Sequence, residues 1–391
     1  MKKIEFLSDF KIIKNLEKEN AKIDYRFKII YAIAMISVIA DHLRGQGSLE
    51  LNIQGWFNYS SYHMPLFMFS AGYFFKSKNI RQLFNYTKRK FKRLILPLYE
   101  YNFFYGLIIQ CMEKIGFKHI RNFNFTIIFL EPLAGSGFHY IGPAWFSSNL
   151  FFVEVYNILK RKFIFLLTNK INEFEPIYLA FDILMSFISV IISNKGYNKT
   201  FINIRILRFM HLNIYYELGI FYGKHLECII NQIPNDFYFL CIFSVKLCFH
   251  VFYSKTPVFF YGKSEYYGYN AFTVIIISIL GILFWVRIAN NLEPILGINF
   301  YINNIADNTF SIMINHLFVI HCVESFFLII SKTTKYCKDF NSVRFYSFDL
   351  RYIYIPNQVL QIGIIYFLNC LFIPIIIQKI INKLKKIIKF F

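Results

Sequence analysis

Long apolar stretches, separated by short polar segments, make up most of the chain. About ten of them approach the roughly 20 residues that a helix needs to cross the hydrocarbon core of a bilayer. The pattern therefore predicts an all-α fold, a polytopic membrane bundle of about ten transmembrane helices. The predicted spans are residues 27–43, 56–75, 94–115, 144–160, 177–194, 211–228, 236–254, 270–289, 308–331 and 357–378.

Lys and Arg concentrate in the segments between these stretches. Cytoplasmic loops of membrane proteins carry an excess of both residues. With ten spans, the basic segments 1–26, 76–93, 160–162 and 379–391 all fall on the cytoplasmic side. Four further cations would fall on the outer side and count against this orientation: Lys195, Lys199, Arg205 and Arg208.

The placement of charge predicts the domain organisation and the location. A basic cytoplasmic arm (1–26) precedes a single transmembrane domain (27–378), and a basic cytoplasmic tail (379–391) follows it. The arm carries no small-residue cleavage site, so the first span is expected to stay in the membrane. We predict a multi-pass protein of the inner, cytoplasmic membrane with both termini in the cytoplasm.

The composition is typical of a membrane protein, and it indicates which class of molecule the chain binds. Of the 391 residues, 56% are hydrophobic and 17% are charged, which excludes an intrinsically disordered chain. The net charge of +20 would suit nucleic acid. Because the cations flank membrane spans, we instead expect membrane lipids and no nucleic acid as partners. The seven cysteines form no CxxC pair, so no metal is expected.

Ionisable side chains occur inside the predicted spans, where they are expensive and therefore mark a functional site or a structural pair. Such an inventory of acids and bases suits transport or catalysis and does not suit a plain membrane anchor. The residues singled out are Asp41, His42, His63, Glu100, Glu154, Glu217, Arg287, His316, His321 and Glu324.

His42 ends the first span and is the candidate general base, since a neutral imidazole takes up a proton near pH 7. The alternative is a histidine at the membrane interface that bonds water or a lipid headgroup. Asp41 is adjacent, but neighbouring residues on a helix do not face each other. For His63, which precedes Met64 and Pro65, a structural role is the favoured interpretation. His316 and His321 are five residues apart and do not share a helix face, whereas His321 and Glu324 are placed to pair.

A basic cluster at residues 88–93 leads directly into the third span. One interpretation is anchoring on anionic lipid at the cytoplasmic surface. The other is a clamp that holds the phosphates of an anionic cofactor through Lys and Arg. The sequence leaves both open.

An ordered set of motifs resembles one family of membrane enzymes. The first span ends in His42 and is followed by HMPLFMFSAGYFF and KRKFKRLILPLYEYNFFYG. Further along come GPAWFSSNLFF, IYYELGIFYGKHLE and IADNTFSIMINHLFVIH. Together they resemble the integral-membrane acyltransferases of the acyltransferase 3 family, the polysaccharide O-acetyltransferase type. The likeness runs in order over roughly residues 27–330.

The resemblance implies roles for particular residues. The family's catalytic histidine falls on His42, and its basic pair falls on Lys90 and Arg93, with Arg89 in the same cluster. Two positions depart from the family pattern. Tyr31 stands where an arginine is usual, and Lys90 lacks the bidentate fork of Arg. Asp41, His63, Trp145 and His316 are expected to bind substrate or support the site.

The chemistry that the resemblance implies is acetyl transfer from cytoplasmic acetyl-CoA to a sugar hydroxyl. The acceptor would be a cell-surface polysaccharide or its lipid-linked precursor. An oxyanion donor is expected among Ser70, Asn102 and Trp145. The alternative function is a transporter or flippase of a lipid-linked saccharide, a class that often shows repeated halves with broken helices. No such internal symmetry is visible in this sequence.

Overall fold

The computed structural model contains only helices as regular structure in the residues it describes, which confirms the all-α fold class. The apolar stretches of the sequence form these helices, and no β-strand occurs in the described part of the chain. The described residues are 23–43, 56–118, 121–133, 137–168, 174–253, 270–349, 352–359 and 361–388.

Ten of the helices described are long, and each overlaps one of the predicted spans. The long helices are α1 (Tyr25–His42), α2 (Tyr59–Tyr73), α5 (Leu96–Lys114), α6 (Trp145–Thr168), α7 (Glu175–Asn194), α8 (Phe201–Phe221), α10 (Asn235–Tyr253), α11 (Ala271–Leu296), α13 (Thr309–Thr333) and α15 (Ile362–Ile388). The shorter helices are α3 (Lys78–Arg81), α4 (Leu83–Lys90), α9 (Glu227–Asn231), α12 (Phe300–Asp307) and α14 (Ser342–Tyr346).

Five of the long helices, α7, α10, α11, α13 and α15, are long and apolar enough to cross a membrane. The others are too short or too polar for that criterion. With 15 residues, α2 spans about 22 Å, less than a hydrocarbon core of about 30 Å. Three charged residues, Arg26, Lys28 and Asp41, lie in α1. The protein is therefore a helical membrane protein, and the count of ten spans stays a prediction.

The start of the sixth predicted span differs from the sequence-based expectation. Helix α8 begins at Phe201 and not near residue 211, so Arg205 and Arg208 lie in a helix and not in an outer loop. Aromatic rings cover both guanidinium groups: Arg205 lies 4.2 Å from the Phe152 ring centroid and Arg208 lies 4.4 Å from that of Trp145. Such cation–π contacts make the charges tolerable within the bundle.

The predicted terminal segments are described only in part. Of the arm 1–26, only residues 23–26 lie within the described part of the chain. At the other end, α15 continues to Ile388, well into the predicted tail 379–391. The first ten residues of that tail therefore extend the last long helix.

Helix α1 occupies the centre of the bundle. It packs against α2, α11, α12, α13 and α15, and its buried residues point to all sides of the helix. A helix that is hydrophobic all round belongs in the interior of a bundle. The candidate base His42 thus stands at the end of a central helix of the bundle.

Helices α2 and α8 cross with their backbones in direct contact. A Cβ atom added at Gly72 would lie 1.9 Å from the Tyr216 carbonyl oxygen, and one at Gly219 would lie 2.0 Å from the Phe69 carbonyl oxygen. Only glycine fits at these two positions, as is common where membrane helices approach closely. The crossing fixes α2, and with it His63, against the bundle.

A buried ion-pair network ties α6, α7 and α8 together. The side chain of Arg161 binds Glu175 at 2.7 Å and also contacts Glu217. Lys160 binds Asp182 at 2.7 Å and Glu217 at 3.1 Å, and Lys224 binds Glu175 at 2.6 Å. Three cations meet three carboxylates, which is the pairing that buried charges require. The sequence-predicted Glu217 therefore has a structural role in this network.

Candidate functional site

The imidazole rings of His42 and His316 lie side by side. Their centroids are 4.7 Å apart and their planes are inclined by 52°. His42 is the last residue of α1 and is exposed, whereas His316 lies on α13 and is fully buried. The packing of α13 against α1 brings together two histidines that are remote in sequence.

The hydrogen bonding of His316 defines its tautomer. Its Nδ1 lies 3.0 Å from the Ile312 carbonyl oxygen, and because a carbonyl only accepts, the neutral ring carries its proton on Nδ1. The buried Nε2 is then an acceptor, and it has no hydrogen-bond partner within the described part of the chain. The Nε2 of His316 can therefore accept a hydrogen bond from a neighbouring N–H group.

His63 and Asp41 lie near this pair. The Nδ1 of His63 binds the carbonyl of Tyr59, one turn earlier in α2, and the ring is buried. The charge of Asp41 acts electrostatically on both His42 and His63. The structure thus gathers Asp41, His42, His63 and His316 at one place in the bundle.

A second group of polar side chains lies around the candidate basic pair, Lys90 and Arg93. The Nζ of Lys90 binds the Oε1 of Glu154 at 2.5 Å, and Glu154 is buried in α6. Arg93 is exposed, and its charge acts on both Glu154 and Tyr31. Tyr31 and Arg93 are therefore close in space, although they are 62 positions apart in the sequence.

A π-helical turn, Phe91–Ile95, presents Arg93 between α4 and α5. The hydroxyl of Ser147 on α6 donates a hydrogen bond to the Leu94 carbonyl oxygen at 3.0 Å, which fixes the turn against α6. Such turns are frequent at functional sites. Arg89, in the last turn of α4, is exposed and lies 5.4 Å from the Tyr86 ring centroid.

Tyr31 and His42 connect the two groups through α1. They are eleven residues apart in one continuous helix, which is close to three full turns, so both lie on the same face, about 16 Å apart along the axis. The face of α1 therefore runs from the basic group at Arg93 to the histidine pair. A long flexible donor with an anionic head and a reactive tail fits such an arrangement.

Trp145 begins α6 and is half-buried under the guanidinium of Arg208. Its backbone carbonyl accepts hydrogen bonds from Ser148 and Asn149, each at 2.9 Å. The 3₁₀ turn that precedes it, His139–Ala144, packs against α13, the helix that carries His316. The start of α6 is thus linked to the helix of the buried histidine.

Two of the three expected oxyanion donors are occupied by backbone groups. The hydroxyl of Ser70 donates to the Leu66 carbonyl at 2.7 Å. The amide of Asn102 donates to the Ile127 carbonyl at 2.8 Å, and its oxygen accepts from the N–H of Phe138 at 3.1 Å. In this arrangement both side chains stabilise the local backbone.

The remaining ionisable residues of the predicted spans lie in other environments. Arg287 donates to the carbonyls of Ile230 and Ile233. Glu100 binds Lys385 at the surface. His321 Nδ1 lies 3.9 Å from Glu324 Oε2, the structural pairing that their spacing predicts.

The contact of His316 with His42 and the pairing of Lys90 with Glu154 were not predicted from the sequence. Both depend on which helices pack against each other, and no spacing within a single helix carries that information. The described residues contain no group of three or more metal-ligating side chains.

Comparison with known proteins gives one match. The family model of the acyltransferase 3 family, described as an acyltransferase domain, matches residues 25–378. Neither the curated proteins nor the solved structures include a match.

Proposed function

The chain belongs to the acyltransferase 3 family and is a membrane acyltransferase, and on this premise we propose that it moves an acetyl group from acetyl-CoA to a sugar hydroxyl. The acceptor is a cell-surface polysaccharide or its lipid-linked precursor, and His42 is the general base. The contact between His42 and His316, on a helix face that leads to the basic group, is the observation that supports the proposal most strongly. The family favours this enzyme over a transporter or flippase.

The two histidines divide the work in this proposal. The ring of His316 packs beside that of His42 and limits its orientation. When substrate is bound, the unpartnered Nε2 of His316 accepts a hydrogen bond from an N–H of His42, which selects one tautomer of the His42 ring. The other ring nitrogen of His42 then keeps its lone pair for the substrate. His316 is a positioning residue, and His42 is the residue that contacts the acceptor hydroxyl.

The reaction is balanced with one proton carried by His42. The free nitrogen of His42 takes the proton of the acceptor hydroxyl as its oxygen attacks the carbonyl carbon of the thioester. A C–O bond forms and the C–S bond breaks. His42 then returns the proton to the departing sulfur, which leaves as the thiol of CoA.

The basic group accounts for donor binding. The exposed guanidinium groups of Arg93 and Arg89 are charged donors suited to phosphate. Lys90 is the third cation, and its bond to Glu154 makes that carboxylate a competitor of the donor phosphates. With these cations near Tyr31, the thioester end of an extended donor lies toward His42 along α1.

The proposed setting is the cytoplasmic membrane. Ten spans place residues 76–93 on the cytoplasmic side, where acetyl-CoA is available, and both termini lie there too. The end of α1 that carries His42 then faces the acceptor from the other side of the membrane. Membrane lipids and the acceptor are the expected partners, with neither a metal nor nucleic acid required.

Purified protein in lipid nanodiscs tests the reaction class. Free CoA should appear when acetyl-CoA and a glycan extract of the native cell surface are both supplied, and radiolabelled acetyl should become bound to the glycan as a base-labile ester. The same mixture without glycan is the control. Acetyl-CoA that stays intact with every glycan fraction would contradict the proposal.

A further inference from the structure

Lys246 is a fully buried cation, and it has no polar partner among the residues that the structure describes. It lies on α10 with 0% of its surface exposed. Its Nζ has no hydrogen-bond or ion-pair partner within the described part of the chain. The contact that the ammonium does make is with the ring of Phe57, whose centroid is 4.7 Å away.

This environment differs from that of other buried cations in the bundle. Lys160 and Arg161 are paired with carboxylates, and Arg287 binds two backbone carbonyls. An aromatic ring offsets only part of the cost of taking an ammonium out of water. Ionisable side chains left unpaired within a membrane protein mark functional positions by default.

The ammonium lies beneath an exposed face of α10, a helix long and apolar enough to cross a membrane. Only 17% of the residues in the candidate membrane span Asn235–Phe252 of α10 are buried within the bundle. Phe243 and His250, one turn to either side of Lys246 on the same face, are exposed. Trp56, 42% exposed, lies over both, with ring centroids 5.6 Å from Phe243 and 6.4 Å from His250. These three rings form an aromatic rim around the buried cation.

The rim lies at the same end of the bundle as the histidine pair. Lys246 is seven residues, or about 10 Å, before the end of α10. Phe57 is followed by Asn58, the residue that caps the N-terminus of α2, and His63 lies in the second turn of that helix. His63 in turn interacts electrostatically with His42. A ligand bound at Lys246 would therefore be held at the end of the bundle where the acceptor hydroxyl must react.

We propose that Lys246 and the aromatic rim of Trp56, Phe243 and His250 form a lateral site for the phosphate group of a lipid, and that this lipid is the lipid-linked acceptor. An ammonium provides the charge for a phosphate, and aromatic rings at the edge of the bundle suit the adjoining lipid chain and sugar. The inference rests on the proposed function, because it adds that the acceptor is held through its lipid phosphate.

A binding experiment tests this site separately from catalysis. The full-length protein in detergent is titrated with a long-chain polyprenyl phosphate, and the thermal unfolding temperature is recorded. The other probes are the neutral polyprenol, phosphatidylglycerol and inorganic phosphate. The variants are Lys246→Met, Lys246→Arg and, as matched control, Lys332→Met, since Lys332 also lies against an aromatic ring but is exposed.

The wild-type protein and Lys332→Met should be stabilised by polyprenyl phosphate and far less by polyprenol, phosphatidylglycerol or inorganic phosphate. Lys246→Met should weaken the binding of polyprenyl phosphate about tenfold or more, and Lys246→Arg should retain it. Because Lys246→Met removes an unpaired buried charge, its unfolding temperature without ligand should not fall.

Equal binding of polyprenyl phosphate by Lys246→Met and wild type would overturn the site. Phosphatidylglycerol binding as tightly as polyprenyl phosphate would overturn the assignment to the acceptor and indicate an ordinary lipid headgroup. His42→Ala separates the two proposals. This variant should bind polyprenyl phosphate as the wild type does. If the wild-type protein binds polyprenyl phosphate but does not transfer acetyl, the lipid site stands and the proposed function falls.

Discussion

The ring of His42, at the exposed end of α1, lies 4.7 Å from the ring of the buried His316 on α13. His316 donates its Nδ1 proton to the backbone and offers Nε2 as an acceptor. His42 is exposed to a substrate, and a buried ring packs against it and limits its orientation. This is the arrangement that a general base needs.

His316→Ala should lower kcat about tenfold and leave the KM for acetyl-CoA unchanged, because it removes the ring that packs against His42, together with its acceptor Nε2, and removes no donor contact. Steady-state kinetics in nanodiscs separate the two constants. His316→Gln keeps an acceptor at this position and should recover part of the loss. An equal loss in His316→Gln, or a raised KM with normal kcat, would contradict the positioning role.

Lys90→Gln combined with Arg93→Gln should raise the KM for acetyl-CoA by well over tenfold, since each charge-assisted contact contributes roughly 1.5–3 kcal/mol. The amount of protein in the membrane should not change. Lys88→Gln with Lys92→Gln is the matched control, because both lysines are exposed in the same segment. If the control pair raised KM equally, or if the test pair only impaired insertion, the segment would be a lipid anchor.

Glu154→Gln should lower the Kd for acetyl-CoA about fivefold, because Lys90 loses its internal carboxylate partner and becomes available to phosphate. Titration of the variant with acetyl-CoA by calorimetry measures the change directly. Glu100→Gln, which removes a surface partner of Lys385, should have no effect. A weaker affinity in Glu154→Gln would mean that the carboxylate holds Lys90 in its binding position.

Gly72→Ala should destabilise the protein by about 1–3 kcal/mol or more, because its Cβ would lie 1.9 Å from the Tyr216 carbonyl oxygen, a backbone atom of the packed helix α8. Thermal unfolding in detergent measures the effect. Gly142→Ala, whose Cβ would meet only Leu317 at 4.0 Å, is the control and should unfold at the wild-type temperature. Equal stability of the two variants would contradict the close crossing of α2 and α8.

The elements were predictable from the sequence, because membrane helices are long uniform apolar segments. Each predicted span overlaps a long helix. The start of α8 was missed because Arg205 and Arg208 interrupt the apolar pattern, and their aromatic partners lie on α6. Hydropathy along the chain carries no record of such contacts between helices.

The candidate site was predictable only as separate residues. His42, Lys90 and Arg93 were identified through their motifs, whereas the neighbours that determine their behaviour lie on other helices. His316 was expected to bind substrate or support the site, but its contact with the ring of His42, 274 positions away in the sequence, could not be predicted. Lys90 was expected to hold the donor together with Arg93, and its pairing with Glu154 was not predicted. Lys246 lies inside the predicted span 236–254 and so met the criterion applied to ionisable residues in the spans, but it was not singled out from the sequence.

The central claim, that His42 is the general base, is tested most directly by His42→Ala in nanodiscs with acetyl-CoA and an acceptor glycan. We expect acetyl transfer to fall by about 10²–10⁴-fold, with unchanged acetyl-CoA affinity and an unchanged unfolding temperature. His225→Ala, which removes an exposed histidine from the π-helical turn after α8, should keep wild-type activity. Transfer above about a tenth of the wild-type rate in well-folded His42→Ala would contradict the account, since loss of a general base costs far more than that.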